Sequence, residues 1–167
     1  MINQKIEAAI NSQINHEMAA AYNYLAMAAY LERRDLAGFA KWMLMQRNEE
    51  LTHAMRLYTY LLDRGGCVDL AAVQKPQADF DSVQAVFAKA LEQERANTAS
   101  IHELYALAIK QDDYATQSHL KWFLDEQVEE EKIMGEVLTH LELAGGDKAA
   151  LLVLNQQMGQ RPAEASG

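Results

Sequence analysis

Four segments of about 27 to 30 residues repeat apolar residues every three or four positions, and each interrupts the repeat with a glutamate near its middle. A repeat of this period predicts a helix, here on the order of 40 Å long. Because glutamate is almost never buried unless it is paired, the four buried faces must meet around a group that tolerates carboxylates. The pattern therefore predicts a helical bundle with a polar layer at its centre.

The four predicted helices, A to D, share this pattern of apolar ends and a polar middle. The stripe of helix A is Ile6, Ile10, Ile14, Glu17, Ala21, Tyr24, Ala28 and Leu31, and that of helix B is Phe39, Met43, Gln46, Glu50, His53, Leu57 and Tyr60. The stripe of helix C is Val83, Phe87, Leu91, Glu94, Thr98, Ile101, Tyr105 and Ala108, and that of helix D is Leu120, Phe123, Gln127, Glu130, Met134, Val137 and Leu141.

The connections between these helices predict how they are arranged. Short corners at Asp35–Gly38 and at "KQDDYATQ" make A with B and C with D antiparallel pairs. The B–C connection within Arg64–Ser82, about 16 residues at roughly 3.3 Å each, is long enough to run the length of a bundle. We therefore expect an all-α, ferritin-like four-helix bundle with up-down-down-up topology and a long crossover. Residues 1–167 are expected to form one domain, with helices A to D within about 3–144, a short fifth helix at about 147–159 and a disordered tail at about 160–167.

The charge balance and the single cysteine exclude several classes of protein. The net charge of −9 disfavours binding to nucleic acid or to anionic lipid. Cys67 alone cannot form an internal disulfide or a CxxC metal site. The N-terminal sequence resembles neither a signal peptide nor a membrane anchor, so we expect a cytoplasmic protein without a membrane partner.

The polar residues at the centre of the stripes have the composition of a metal site. Four carboxylates, Glu17, Glu50, Glu94 and Glu130, together with the His53 imidazole suit one or two hard to borderline divalent ions. Glu50 and His53 are three positions apart, so both can reach one ion. Helix D carries Gln127-x-x-Glu130 where a symmetric site would carry Glu-x-x-His. We therefore expect an asymmetric pair of ions, bridged by Glu50, with His53 bound to one of them.

Several residues beside this site allow more than one interpretation. Glu49, Glu126 and Glu129 lie next to the central stripes and fit either a third, oxygen-only metal site or a solvated acidic face. Tyr24 could donate a hydrogen bond to a ligand, donate an electron, or be an ordinary core tyrosine. His16, His102, His119 and His140 lie off the stripes and are interpreted as surface residues, whereas Trp42 and Trp122 are expected to pack in the core or at an interface.

A lone Glu-x-x-His is weak evidence for a metal, and His53 alone could be a core histidine. However, none of the four stripes carries a basic residue near its glutamate, so local salt bridges do not explain them. A zincin site is excluded because position 49 is glutamate, where that motif requires histidine. The agreement among four helices favours the metal site.

At these residues the sequence resembles the ferritin family, specifically the non-haem bacterial ferritins. The resemblance covers nearly the whole chain and includes "NEELTH" in helix B, "LEQER" in helix C, "LDEQVEEEK" in helix D, the long crossover and the fifth helix. It implies a homo-oligomeric, hollow shell of 24 subunits that stores iron. Such a shell would oxidise Fe(II) with O₂ or H₂O₂ at a di-iron ferroxidase centre and deposit Fe(III) as a mineral inside.

The resemblance also implies roles for individual residues. Glu17, Glu50 and His53 are similar to the ligands of the first iron, and Glu50, Glu94 and Glu130 to those of the second. Glu49, Glu126 and Glu129, with Glu130 shared, are similar to a third iron site, which favours that interpretation over a solvated face. Tyr24 and Gln127 match the residues that neighbour the di-iron pair.

The sequence departs from related ferritins at three places. Haem is not expected, because Leu51 follows the bridging Glu50 where bacterioferritins carry a haem-binding methionine. Animal ferritins lack a carboxylate at the position of Glu130, which argues for the bacterial type. The acidic pair of their threefold channel aligns with Gln117 and Leu120, so that iron entry route is not predicted here. A di-iron peroxidase of the rubrerythrin kind and a purely structural bundle are the alternatives.

Overall fold

A computed structural model describes residues 2–160 of the chain, which form five α-helices. They are α1 (Gln4–Glu32), α2 (Ala37–Asp63), α3 (Val83–Lys110), α4 (Tyr114–Ala144) and α5 (Lys148–Met158). The four long helices and the short fifth helix are thus confirmed. Apart from Gln160, the predicted disordered tail lies outside the described residues.

Side chains at the helix ends explain where most of the helices begin. Asn3, Ser82, Asp113 and Asp147 precede α1, α3, α4 and α5, and each side chain accepts a hydrogen bond from a backbone N–H of the first turn. Gly145 ends α4 in the left-handed region at φ 57°, a conformation that glycine adopts at little cost.

Gly38 has a different role from the corner predicted at Asp35–Gly38. The turn between α1 and α2 is completed earlier, by Asp35 at φ 58°, and Gly38 lies inside α2. A Cβ atom at Gly38 would lie 1.7 Å from the carbonyl oxygen of Asn155 in α5. The Asn155 side chain in turn accepts a hydrogen bond from the Phe39 N–H at 3.0 Å. The glycine therefore permits close packing of α5 on α2.

Contacts between helices confirm the up-down-down-up topology. Asn3 near the start of α1 bonds Gln111 just after α3, and Tyr24 farther along α1 bonds Glu94 earlier in α3, so α1 and α3 are antiparallel. Gln46 of α2 bonds Glu130 of α4, whereas residues at the end of α2 meet the start of α4, so this pair is antiparallel as well. Helix α5 packs on α2 and α4.

The crossover at 64–82 runs along α1, as its length predicted. Asn11 donates to the Cys67 carbonyl at 2.9 Å and accepts from the Asp69 N–H at 2.8 Å. One turn later, Asn15 donates to the Asp69 carbonyl at 3.1 Å and accepts from the Ala71 N–H at 2.8 Å. Two asparagines thus satisfy successive backbone groups of an extended segment that has no secondary structure of its own.

The interior consists of two apolar clusters with the predicted polar layer between them. One cluster includes Tyr24, Phe39, Phe87 and Met134. The other includes Ile6, Ile14, Leu57, Ile101 and Phe123. Apart from Thr116 near the start of α4, the buried polar side chains among the described residues come from the middle of the four long helices: Gln13, Glu17, Gln46, Glu50, His53, Glu94, Asn97, Gln127 and Glu130.

Two features of the burial pattern differ from prediction. In α3 the predicted residues Val83, Leu91, Thr98 and Tyr105 are only half-buried, whereas Val86, Ala90, Asn97 and Leu104 are buried. His16 and His119, both predicted to lie on the surface, are half-buried, and the His119 ring stacks on Tyr60 with the ring centroids 3.9 Å apart. In the chain from residue 2 to 160, no helix contains a stretch apolar enough for a bilayer crossing.

Candidate metal centre

The centre of the site is formed by consecutive turns of α2. Glu50 and His53 are both buried, and the Nδ1 atom of His53 lies 3.4 Å from Oε2 of Glu50. The imidazole is held edge-on between Trp122 and Phe123, with ring centroids at 5.3 and 6.1 Å. Its Nδ1 atom therefore faces the carboxylates, as a metal-bound histidine nitrogen would.

Glu17 of α1 completes a group with these two residues. Glu17, Glu50 and His53 each offer one ligand atom, and these atoms all lie within 4.8 Å of one another. Within residues 2–160, this is the one group of three or more potential metal-binding side chains at that separation. The three residues predicted to bind the first ion are therefore close enough to share it.

The Glu17 carboxylate accepts hydrogen bonds on both oxygens. Gln13, one turn earlier in α1, donates to Oε1 at 2.7 Å. Asn97 of α3 donates to Oε2 at 3.0 Å. Gln13 and Asn97 are themselves joined, because the Gln13 amide donates to Oδ1 of Asn97 at 2.6 Å.

Glu94 is the buried carboxylate that α3 contributes to the layer. The Tyr24 hydroxyl donates to its Oε1, and the Gln127 amide lies 3.3 Å from its Oε2 and 3.2 Å from its backbone carbonyl. Burial, followed by the charges of Glu94 and Glu50, raises the pKa of Tyr24 well above its ordinary value. The hydroxyl therefore stays protonated and acts as a donor to Glu94, which favours the hydrogen-bonding interpretation among the three left open for Tyr24.

Glu130 of α4 is the fourth buried carboxylate. Its Oε2 accepts a hydrogen bond from the Gln46 amide of α2 at 2.9 Å. Glu130 and Gln127 lie on one face of α4, and both are buried. Six of the seven residues predicted for the di-metal site are thus in the polar layer, and the seventh, Tyr24, belongs to the adjoining apolar cluster and contacts Glu94.

The electrostatics of this layer are unfavourable without a cation. Burial is the main cause that raises the pKa of Glu50 well above its ordinary value, and the charges of Glu94 and Glu17 add to the effect. Burial also raises the pKa of Glu94, although hydrogen bonds from Tyr24 and Gln127 oppose the rise. Among residues 2–160, no lysine or arginine is buried. The amides and the phenol orient the carboxylates but do not neutralise them.

The donor set therefore fits divalent cations. Carboxylate oxygens and one imidazole nitrogen are ligands that Fe(II), Mn(II) and Zn(II) accept. A cation between the carboxylates would relieve their mutual repulsion and favour the ionised form of Glu50. Glu17, Glu50 and His53 fit one such ion, and the buried Glu94 and Glu130 provide further carboxylates in the same layer.

The three residues predicted for a further site lie at the edge of this layer. Glu126 is the nearest of them, with its Oε1 3.8 Å from Nε2 of His53. Glu49 is half-buried and Glu129 is exposed. Among the described residues, these three carboxylates do not approach one another as closely as the Glu17 group does, so a third site stays a prediction.

Sequence reasoning missed Gln13 and Asn97, which contact the Glu17 carboxylate. A usable pattern was present, because Gln13 precedes Glu17 by four positions and Asn97 follows Glu94 by three. Both therefore lie one turn from a predicted ligand on the same helix face. Neither residue was predicted, because neither lies on the apolar stripe assigned to its helix.

Comparison with known proteins places these residues in a family context. The family described as "Ferritin-like domain" matches residues 7–144. A protein of Staphylococcus aureus (strain USA300) named "Bacterial non-heme ferritin" is 39% identical over 161 residues, which cover 96% of this chain and 97% of that protein. A protein of the same name from Staphylococcus saprophyticus is 37% identical over 166 residues, or 99% of each chain.

Solved structures agree with the sequence comparison. An open pore ferritin from the archaeon Archaeoglobus fulgidus superposes with a TM-score of 0.96 at 42% identity, covering 97% of this chain and 100% of that one. A humanized archaeal ferritin superposes with a TM-score of 0.97 at 39% identity, covering 99% and 100%. The similarity thus extends over all five helices and the polar layer between them.

Proposed function

The chain belongs to the ferritin family, and on this premise we propose that it takes up Fe(II), oxidises it at the buried polar layer and stores the product as a ferric mineral. The observation that carries this proposal is the convergence of Glu17, Glu50 and His53 within 4.8 Å of one another. Two more buried glutamates lie in the same layer. Iron is the substrate and the stored cargo here, and no haem is required.

The two iron positions would have different ligands. Glu17, Glu50 and His53 bind the first Fe(II), and Glu50, Glu94 and Glu130 bind the second. Glu50 would be shared by the two ions, because it lies close to Glu17 and His53 and also feels the charges of Glu94 and Glu130. Tyr24 and Gln127, which both donate hydrogen bonds to Glu94, would orient this carboxylate for the second ion.

Oxidation at this site requires both ions. Each Fe(II) gives up one electron, and O₂ accepts the two electrons with two protons to form H₂O₂; H₂O₂ can serve as the oxidant in turn. The protein contributes the geometry, since it holds two reductants at one place with an oxidant between them. Fe(III) then leaves the site for the mineral. Glu49, Glu126 and Glu129 are proposed to hold a third iron on this route.

Storage also requires an enclosed volume, which one subunit does not supply. We propose a homo-oligomeric shell of 24 copies in the cytoplasm, in keeping with the family. The archaeal relative is an open pore ferritin. In a shell with closed symmetry, every copy would use the same set of interfaces.

The proposal is tested with Glu50→Ala and His53→Ala in the assembled protein. Both variants should lose rapid Fe(II) oxidation, measured as the appearance of Fe(III) absorbance after addition of Fe(II) in air, while they keep the helical content of the wild type. Glu103→Ala and His102→Ala, which alter exposed side chains of α3, are the matched controls.

Storage is measured separately, as the iron retained per subunit after size-exclusion chromatography. Retention of hundreds of ions in a high-mass fraction supports the proposal. Wild-type oxidation rates in Glu50→Ala would contradict the assignment of the site. A dimer that retains only two ions per subunit would contradict storage and favour a di-iron oxidase or peroxidase.

A further inference from the structure

The hydrogen bonds around Glu17 form a directed chain of amides that ends on two ligand carboxylates. Ser100 donates to Oε1 of Gln13, which leaves the Gln13 amide nitrogen for Glu17 and Asn97. The Asn97 amide nitrogen donates to Glu17 and lies 3.3 Å from Oε1 of Gln127. Gln127 then donates to Glu94.

The geometry fixes the orientation of every amide in the chain. An amide oxygen can only accept and an amide nitrogen can only donate, so the accepting carboxylates of Glu17 and Glu94 determine the direction, and the Ser100 hydroxyl, which can do either, adapts to it. Gln13 and Asn97 are each about 1% exposed, so water does not compete for these bonds. Such buried and satisfied networks hold their members in one arrangement.

We propose that Gln13 and Asn97 are positioning residues that hold the Glu17 carboxylate in one orientation for the first iron. They leave each Glu17 oxygen with lone-pair capacity for a metal while preventing rotation of the carboxylate. Through Gln127, Asn97 also joins the ligand of the first ion to Glu94, a ligand of the second. This inference rests on the proposed function, because it assigns roles toward the same two ions.

The proposal predicts different consequences for the two amides. Gln13 contacts Glu17 but neither Gln127 nor Glu94. Gln13→Met should therefore weaken binding of the first ion and leave binding of the second nearly unchanged. Asn97→Leu removes the contacts with both Glu17 and Gln127 and should weaken binding of both ions. Losses of outer-shell hydrogen bonds to metal ligands typically reduce affinity roughly 10- to 100-fold, and we expect the first-ion affinity to fall within this range.

The experiment is an anaerobic titration of the assembled, metal-free protein with Co(II), followed by calorimetry and by visible absorption. The Co(II) spectrum depends on the ligand set, so a reoriented Glu17 should change the bands of the first ion, which a loss of packing elsewhere would not do. Asn23→Leu is the matched control, because Asn23 donates to Gln93 across the same α1–α3 contact at 2.8 Å without touching a proposed ligand.

The outcomes separate this inference from the proposed function. Weaker first-ion binding and an altered spectrum in Gln13→Met, with a wild-type spectrum in Asn23→Leu, support the positioning role. First-ion affinity within twofold of the wild type and an unchanged spectrum in Gln13→Met overturn it, even if Asn97→Leu fails to fold, since methionine matches glutamine closely in volume. Absence of saturable binding in the wild type would instead contradict the proposed function.

Discussion

Nδ1 of His53 lies 3.4 Å from Oε2 of Glu50, one helical turn away on α2. Among the buried polar residues within 2–160, His53 is the one imidazole and the others are carboxylates, amides and a threonine. One helix therefore supplies both the imidazole and a carboxylate of the layer. Each of the other three long helices contributes one further buried carboxylate.

This arrangement predicts unequal effects of substituting the two residues. His53→Ala should lose the first ion and retain the second, because Glu94 and Glu130 do not depend on the imidazole. Glu50→Ala should weaken both ions, because its carboxylate is shared. Anaerobic titration with Zn(II), which avoids oxidation, gives the number of ions bound per subunit. Loss of the same number of ions in both variants would contradict a bridging role for Glu50.

The raised pKa of Glu50 predicts that the metal site costs stability when it is empty. In the folded state this carboxyl holds its proton to higher pH than in the unfolded state, so stability falls as pH rises above the unfolded value of about 4.5. Because glutamine cannot ionise, Glu50→Gln should not show this fall in stability with rising pH. We expect the metal-free variant to be more stable than the wild type by about 1–2 kcal/mol at pH 7.

Thermal unfolding with and without metal measures this effect. Addition of Zn(II) should raise the midpoint of the wild type more than that of Glu50→Gln, because binding to the folded state alone stabilises it. A metal-free Glu50→Gln protein that unfolds at a lower temperature than the wild type would show that the buried Glu50 carboxylate does not destabilise the metal-free protein.

The sequence predicted the ligand layer because periodicity and burial cost are local properties. Glu17 and Glu130 lie where a three-or-four spacing places them, and the structure buries both. The prediction for α3 was less accurate because each step can be three or four residues, and a wrong choice rotates the stripe. Thr98 was thus assigned to the buried face of α3, but Asn97 is buried and Thr98 is only half-buried.

The partners of the carboxylates could not be predicted because they depend on the packing of one helix on another. Asn97 meets Gln13 only because α1 and α3 are antiparallel in one particular register. His119 was assigned to the surface because it lies off the stripe, and its burial results from stacking on Tyr60 across α2 and α4. Neither register nor stacking is encoded in the spacing within one helix.

The crossover provides a prediction about stability. Asn15→Ala removes two hydrogen bonds to the backbone at Asp69 and Ala71, and hydrogen bonds of this kind contribute roughly 0.5–1.5 kcal/mol each. We expect faster proteolytic cleavage within residues 64–82 and a lower unfolding midpoint. Asn48→Ala, at an exposed position of α2, is the control. Equal cleavage rates in the two variants would show that the asparagine does not hold the crossover.

His119 predicts a dependence on pH. Burial, aided by the charge of Arg56, lowers the pKa of His119 to about 4, whereas an unfolded histidine titrates near 6.5. Between these values the unfolded state binds the extra proton, so stability falls as pH decreases from about 6.5 to about 4. The group is partly solvated, so the effect is on the order of 1 kcal/mol.

Comparison of the wild type with His119→Phe isolates the contribution of His119 to the pH dependence of stability. Phenylalanine can keep the stacking on Tyr60 but cannot take up a proton, so the difference in unfolding midpoint between wild type and variant should change across this pH range. Thermal unfolding of the metal-free proteins at several pH values measures it. A difference that is constant from pH 7 to pH 4 would contradict the assigned titration.

The most direct measurement of the central claim is anomalous diffraction at the iron edge from crystals loaded with Fe(II) without oxygen. We predict two peaks within the polar layer, one bound by Glu17, Glu50 and His53 and the other by Glu50, Glu94 and Glu130. Brief exposure to air should then lower the occupancy of both. Crystals that take up iron on the surface but show no peak between these carboxylates would contradict the account.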